Sequence, residues 1–408
     1  MNRKRWGFLS ATILIAFSGL PAQASDCADS SGEAAIATCT SRINSGKFKG
    51  LEQAKNYYNR GYEYDEKGDY DLAISDYNNA VKIEPNYSKG YFNRGLAYVH
   101  KGEYDRGIVD YNQVIKLTPQ DPEVFNNRGN AYDLKGDYDR AIADYNQAIS
   151  IKPEYAKAFN NRGNTYAHKG EYDRAIVDYD QAIKFKPDYH EAFNNRGYSY
   201  DNKGDYDRAI ADYSQSVSLN PKYLKAYFNR ASAYDHKGDY ERAIADYSQS
   251  ISLSPKYAWA FQTRGRMNLY AGALAKALAD LNQANALAPK DPYAALWLDI
   301  VGQRNNLPSR LQQTSSQVDM TAWPAPVIGL FLGQTTAAAL LAAADDQNAS
   351  KKKGRVCEAN FYSGELSLMK GAKDEATRLF RLAANDCPRG FIEWTAAKAE
   401  LKALGATP

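Results

Sequence analysis

Asn59, Asn93, Asn127, Asn161, Asn195 and Asn229 recur every 34 residues, and Thr263 interrupts the series. A primary amide donates and accepts at once, so a row of them can bond the main chain of an extended peptide without reading its side chains. One residue earlier stand Tyr58, Phe92, Asn126, Asn160, Asn194, Phe228 and Gln262. The aromatic members Tyr58, Phe92 and Phe228 flank a polar centre and could anchor apolar side chains of the same ligand. Together these residues form a candidate peptide-binding groove. Duplication that merely copied a solvated asparagine is the competing explanation.

Arg60, Arg94, Arg128, Arg162, Arg196, Arg230 and Arg264 directly follow the amide row, and an aspartate lies 16 residues after each, Asp144 after Arg128 and Asp178 after Arg162 among them. A guanidinium removed from water needs a carboxylate, so the matched spacing predicts structural ion pairs Arg128–Asp144 and Arg162–Asp178. Arginines gripping an acidic ligand are the functional alternative. His100, His168 and His236 occupy alternate copies of the repeat. Packed helices about 8–10 Å apart would separate them by roughly 20 Å, whereas the ligands of one zinc lie about 2 Å from it. No metal site and no cofactor are expected. No Ser-His-Asp grouping or phosphate-cradling glycine loop stands out, so no catalytic residue is assigned. Asp65, Asp133, Asp201 and Asp235 share a register and suit a basic or mixed-charge partner, although a solvated helix face accounts for them equally well.

The elements that would position these residues follow from the same period. Pro85, Pro119, Pro153, Pro187, Pro221, Pro255 and Pro289 are each 34 apart; with each proline as position 32, seven repeats span 54–291. Position 8 is Gly61, Gly95, Gly129, Gly163, Gly197, Ala231 and Gly265, and position 20 is equally small, which lets two helices approach closely. Gly68 and its equivalents at position 15 can end a first helix in the left-handed conformation. Asp69, Glu103 and Asp137 then stand where a second helix needs a cap, and the proline stops that helix. This pattern resembles the tetratricopeptide repeat, a helix–turn–helix unit of period 34. The resemblance implies an all-α fold: a solenoid of helical hairpins forming a right-handed superhelix, its concave face lined by the first helices. Position 7 is normally apolar in that family, so the arginine row departs from it. Asparagine ladders that hold a peptide occur in some members.

The flanks divide the rest. Residues 1–24, with Arg3, Lys4 and Arg5 ahead of an apolar run and a small-residue site at Ala22 and Ala24, read as a cleaved signal peptide. No cysteine follows directly, so no lipid anchor is expected. Residues 25–53 read as a helical cap stapled by Cys27 and Cys39, and 292–345 as a capping helix and connector, loop-like over 308–317. Residues 353–408 form a degenerate eighth repeat: with Pro388 at position 32, Gly364, Gly371, Ala376 and Phe380 fall on positions 8, 15, 20 and 24. That register brings Cys357 and Cys387 to the adjacent open ends of a helix pair, where a disulfide is natural. The layout of repeats, Trp-containing connector and terminal repeat is similar to the NlpI-type envelope lipoproteins, which implies an adaptor docking cell-wall hydrolases and a periplasmic protease.

Composition narrows the classes. The 408 residues are 44% hydrophobic and 24% charged, with a mean hydropathy of −0.61, which excludes a polytopic membrane protein. Without the three basic residues at the N-terminus, 48 Lys and Arg face 48 Asp and Glu. That balance argues against nucleic-acid binding, and signal cleavage would leave no stable membrane insertion. The expectation is a periplasmic or secreted, non-enzymatic scaffold binding a protein or extended peptide. An envelope enzyme or accessory factor with a site between the repeats and residues 320–408, and a self-assembling homodimer, are the alternatives.

Overall fold

The computed structural model describes residues 27–407, so the signal peptide expected at 1–24 lies outside the described residues. Among the described residues the chain is helical without strands, and it divides into two compact units after Pro187.

The first unit opens with α1 (Gly32–Asn44), tied by the Cys27–Cys39 disulfide to the short turn before it. Four hairpins follow: α2 (Gly50–Glu66) with α3 (Tyr70–Ile83), α4 (Ser88–His100) with α5 (Tyr104–Leu117), α6 (Pro122–Lys135) with α7 (Tyr138–Ile151), and α8 (Ala156–His168) with α9 (Tyr172–Phe185). The second unit holds three more: α10 (His190–Lys203) with α11 (Tyr206–Leu219), α12 (Leu224–His236) with α13 (Tyr240–Leu253), and α14 (Ala258–Tyr270) with α15 (Leu274–Leu287). Then come α16 (Pro292–Arg304), the short α17 (Leu311–Thr314), α18 (Ala325–Phe331) and α19 (Ala337–Ala343), and finally α20 (Ala349–Met369), α21 (Lys373–Asp386) and α22 (Ile392–Ala403).

In five of the seven repeat hairpins the second helix lays a tyrosine ring against the bare backbone of the first; Ala231 replaces the glycine in α12, and Leu281 replaces the ring in α15. At Gly163 an added Cβ would stand 2.7 Å from Cε1 of Tyr179, nearer than van der Waals contact allows. The same relation holds in the terminal hairpin, where a Cβ on Gly364 would lie 2.7 Å from Phe380. Within the first unit α2, α4, α6 and α8 touch in succession, and in the second α10 touches α12; the second helices approach one another less closely. First helices therefore line the inner side of each unit.

Two expectations need correction. Asp137, Asp205 and Asp239 accept from the backbone N–H three residues on, but Asp69, Glu103 and Glu171 make no such bond. The cap forms only where an aspartate is also gripped by an arginine at that third residue, as Arg140 grips Asp137. Asp69 faces Leu72 there, and the longer glutamates pair with arginine side chains alone. Residues 308–317 are also not simply loop. Asp299 accepts from Ser309 Oγ at 2.7 Å and from the Arg310 N–H at 3.0 Å, which turns the chain into α17 and buries Leu311.

The arginine row joins the hairpins. Arg162 forks onto Asp178 through Nε at 2.7 Å and Nη2 at 2.6 Å, and its Nη1 reaches Asn146 of the preceding second helix at 2.5 Å. Arg128 does the same with Asp144 and Asn112, and Arg230 and Arg264 take Ser214 and Ser248 as third partner. Each guanidinium also lies over the ring three residues earlier, Phe159 for Arg162 at 5.4 Å.

The second unit is closed by an apolar core around Trp297, Phe361, Tyr362 and Phe380, stapled by the Cys357–Cys387 disulfide. Four glutamates are buried around it, Glu358, Glu365, Glu393 and Glu400. Glu358 accepts from Tyr293 OH at 2.7 Å and from Trp323 Nε1 at 2.9 Å. Burial, with Glu393 nearby, pushes its carboxyl up to about 8. Glu365, held by Arg304 at 2.6 Å, is raised in the same direction by burial.

Two outcomes are expected. Arg162→Leu should cost about 2–4 kcal/mol in urea denaturation, because Asp178 is left buried without its cation, whereas Arg162→Leu with Asp178→Leu should recover most of that loss. Glu358 and Glu365 bind a proton more tightly folded than unfolded, so their contribution is full below the ordinary glutamate value and is lost as pH rises towards about 8. Tryptophan-monitored denaturation should show a lower midpoint at pH 8.5 than at pH 5, with Glu358→Gln flattening the slope.

Candidate functional site

Positions 5 and 6 sit on the first helices, immediately before the arginine whose fork fixes each helix. Asn126, Asn160 and Asn194 at position 5 are buried, and Asn127, Asn161 and Asn195 at position 6 are half-buried. The amides are wired together. Asn160 Nδ2 donates to Asn161 Oδ1 at 3.4 Å, Asn161 Nδ2 to Asn126 Oδ1 at 3.0 Å, and Asn126 Nδ2 to Asn127 Oδ1 at 3.4 Å. In the second unit Asn229 donates to Asn194 at 3.0 Å and Asn194 to Asn195 at 3.3 Å. Asn93 donates to Tyr58 OH at 2.9 Å, and Asn59 lies 3.7 Å from the Cys27 sulfur.

The ladder is thus partly spent on its neighbours. An amide has two N–H donors and two carbonyl lone pairs, so Asn161 retains one of each and Asn127 both donors for a ligand. The aromatic members of position 5 are structural rings first. Tyr58 packs on Tyr77 and Tyr87, Phe92 on Tyr111, and Phe228 on Tyr247 and Tyr257 at 5.2 and 5.5 Å. All three are half-buried.

The acidic and histidine rows, separate in the sequence, meet in space. His168 Nδ1 lies 3.1 Å from Asp133 Oδ1, His236 Nδ1 3.0 Å from Asp201 Oδ1, and His100 Nδ1 3.8 Å from Asp65. Each histidine joins the aspartate of the repeat before it. Burial pulls the His236 imidazole down, but the hydrogen bond and charge of Asp201 outweigh it and raise the group above its ordinary value. Among the described residues, no three His, Cys, Asp or Glu side chains converge as a metal site would require. No helix among them is long and apolar enough to cross a membrane.

Comparison with known proteins agrees with this geometry. Residues 61–102, 97–136, 129–170 and 163–204 match the family model of the TPR repeat, and residues 194–258 a second tetratricopeptide repeat model. Across that stretch the chain belongs to the tetratricopeptide repeat family. The fold is shared with the APC/C hetero-tetramer Cut9–Hcn1, at 18% identity and a TM-score of 0.50 over 65% of this chain and 52% of that one. A tetratricopeptide repeat protein from Parabacteroides merdae matches at 22% identity, TM-score 0.48, over 61% of this chain and 98% of its own. YrrB, described as a TPR protein with an unusual peptide-binding site, matches at 22% identity and TM-score 0.39 over 45% and 95%. At these identities the likeness is one of fold.

Proposed function

We propose that this chain is an exported adaptor that takes a protein segment or extended peptide along the inner side of its repeats and has no catalytic activity of its own. The observation that carries the reading is the half-buried amide row. Asn127 and Asn161 keep donors, and Asn161 an acceptor, beyond the bonds that hold them in place. A ligand main chain offers alternating N–H and C=O groups of matching kind. The wiring supports the reading, because an amide held by its neighbour loses little rotamer freedom when it binds. The peptide-binding site described for YrrB belongs to a protein of the same repeat class.

Two disulfides closing sequence separations of 12 and 30 fit an oxidising compartment, which supports a periplasmic or secreted location after removal of residues 1–24. Cell-envelope enzymes are the partner class that the overall layout favours.

A photoreactive residue in place of Asn161 should crosslink a polypeptide in intact cells. Asn127→Ala with Asn161→Ala should weaken binding of the captured partner at least tenfold, with unchanged far-ultraviolet circular dichroism. Capture without that loss would remove the amides from the site.

A further inference from the structure

The chain already holds one helix on the inner side of its second unit. α22 turns Trp394 onto His236, ring centroids 6.0 Å apart, while Thr395 Oγ1 meets Asp235 Oδ2 at 3.3 Å. Lys398 lies over the Trp394 ring at 3.9 Å. Ahead of the helix, Arg389 lies against the turn between α10 and α11: a Cβ on Gly204 would stand 2.7 Å from its Nη1. The receiving surface is Asp201, Gly204, Tyr206 and His236, with Tyr206 and His236 ring centroids 4.9 Å apart.

Two repeats earlier, in the first unit, the same surface stands uncovered. Asp133, Gly136, Tyr138 and His168 are the counterparts of those four residues. His168 pairs with Asp133 at 3.1 Å, as His236 does with Asp201 at 3.0 Å. Gly136 turns left-handed at φ 89°, ψ 10°, against 83° and 11° at Gly204. The difference is the occupant. The His168 side chain is 52% exposed and that of His236 13%. Where Arg389 crowds Gly204, nothing stands within 4 Å of a Cβ on Gly136. A cleft of about 410 Å³ opens there, lined by Lys135, Gly136, Asp137, Tyr138, Asp139 and Lys169.

The geometry points to a second helix-docking site on the first unit, at Asp133, Gly136, Tyr138 and His168, for an amphipathic helix of a partner protein. The occupant's chemistry is read from α22. A cation enters the cleft beside Gly136, an indole follows about five residues later to cover His168, and a lysine about a turn further on lies over that ring. Ala167 stands where the second unit has Asp235, so a small apolar residue replaces the threonine. This chain's own α22 is not the expected occupant, because Glu400 to Arg304 at 2.9 Å and Glu393 to Tyr362 at 3.2 Å hold it in its own unit. The site shares with the adaptor reading only the premise of a polypeptide partner, and it does not use the amide ladder.

The test uses a labelled synthetic peptide of residues 388–405 carrying Thr395→Ala, titrated into the full chain and followed by fluorescence anisotropy. Saturable binding is expected, weakened at least tenfold by Trp394→Ala in the peptide and by His168→Glu in the protein. His168 is exposed, so that variant should keep its circular dichroism; Tyr138→Ala supplies a second readout at the same surface. Asn127→Ala with Asn161→Ala should leave peptide binding unchanged, which separates this site from the ladder. Absence of saturable binding, or loss only with a His236 variant, overturns the proposal. So does self-association of the chain in sedimentation equilibrium that His168→Glu abolishes, since the occupant would then be a second copy.

Discussion

Everything in the repeats is hung from one side chain per hairpin, the arginine at position 7. A guanidinium presents its donors in a rigid fork, so Arg162 can hold Asp178 in its own hairpin and Asn146 in the hairpin before at the same time. An apolar side chain would fill the space but would not set the angle between successive repeats so narrowly. The amide at position 6 is the arginine's neighbour in sequence. Its placement on the inner side follows from the same anchor.

Much of this was legible because the contacts that define a helical hairpin are local. The bare backbone of Gly163 and the ring of Tyr179 lie within one period, as do Arg162 and Asp178, and each pair repeats often enough to betray itself. The terminal hairpin was readable for the same reason, through Gly364, Gly371 and Phe380. The bonds between amides were not. The bonds between repeats join position 6 to position 5 of the previous repeat, a contact that appears only once the helices are stacked. The pairing of His168 with Asp133 was hidden likewise, since neither row alone shows that the other lies opposite.

The least legible feature is the return of α22 to the inner side of the second unit. Thr395 and Asp235 are 160 residues apart, and nothing periodic connects them. Nor could composition show that Glu358, Glu365 and Glu393 lie inside the closing core. A glutamate is ordinarily exposed, and only the packing of α16, α20 and α22 around Trp297 and Tyr362 removes these three from water.

The hydrogen bonds from Asn160 through Asn161 and Asn126 to Asn127 all run the same way, each amide giving at one end and receiving at the other. A chain of that kind has a head and a tail, and its dipoles reinforce one another. It finishes at Asn127 with an amino group to spare. An extended backbone offers a carbonyl at every residue in either sense, so a strand of either direction can meet that amino group. The wiring that looks like mere internal bracing therefore leaves the row one defined donor end, which a carbonyl satisfies.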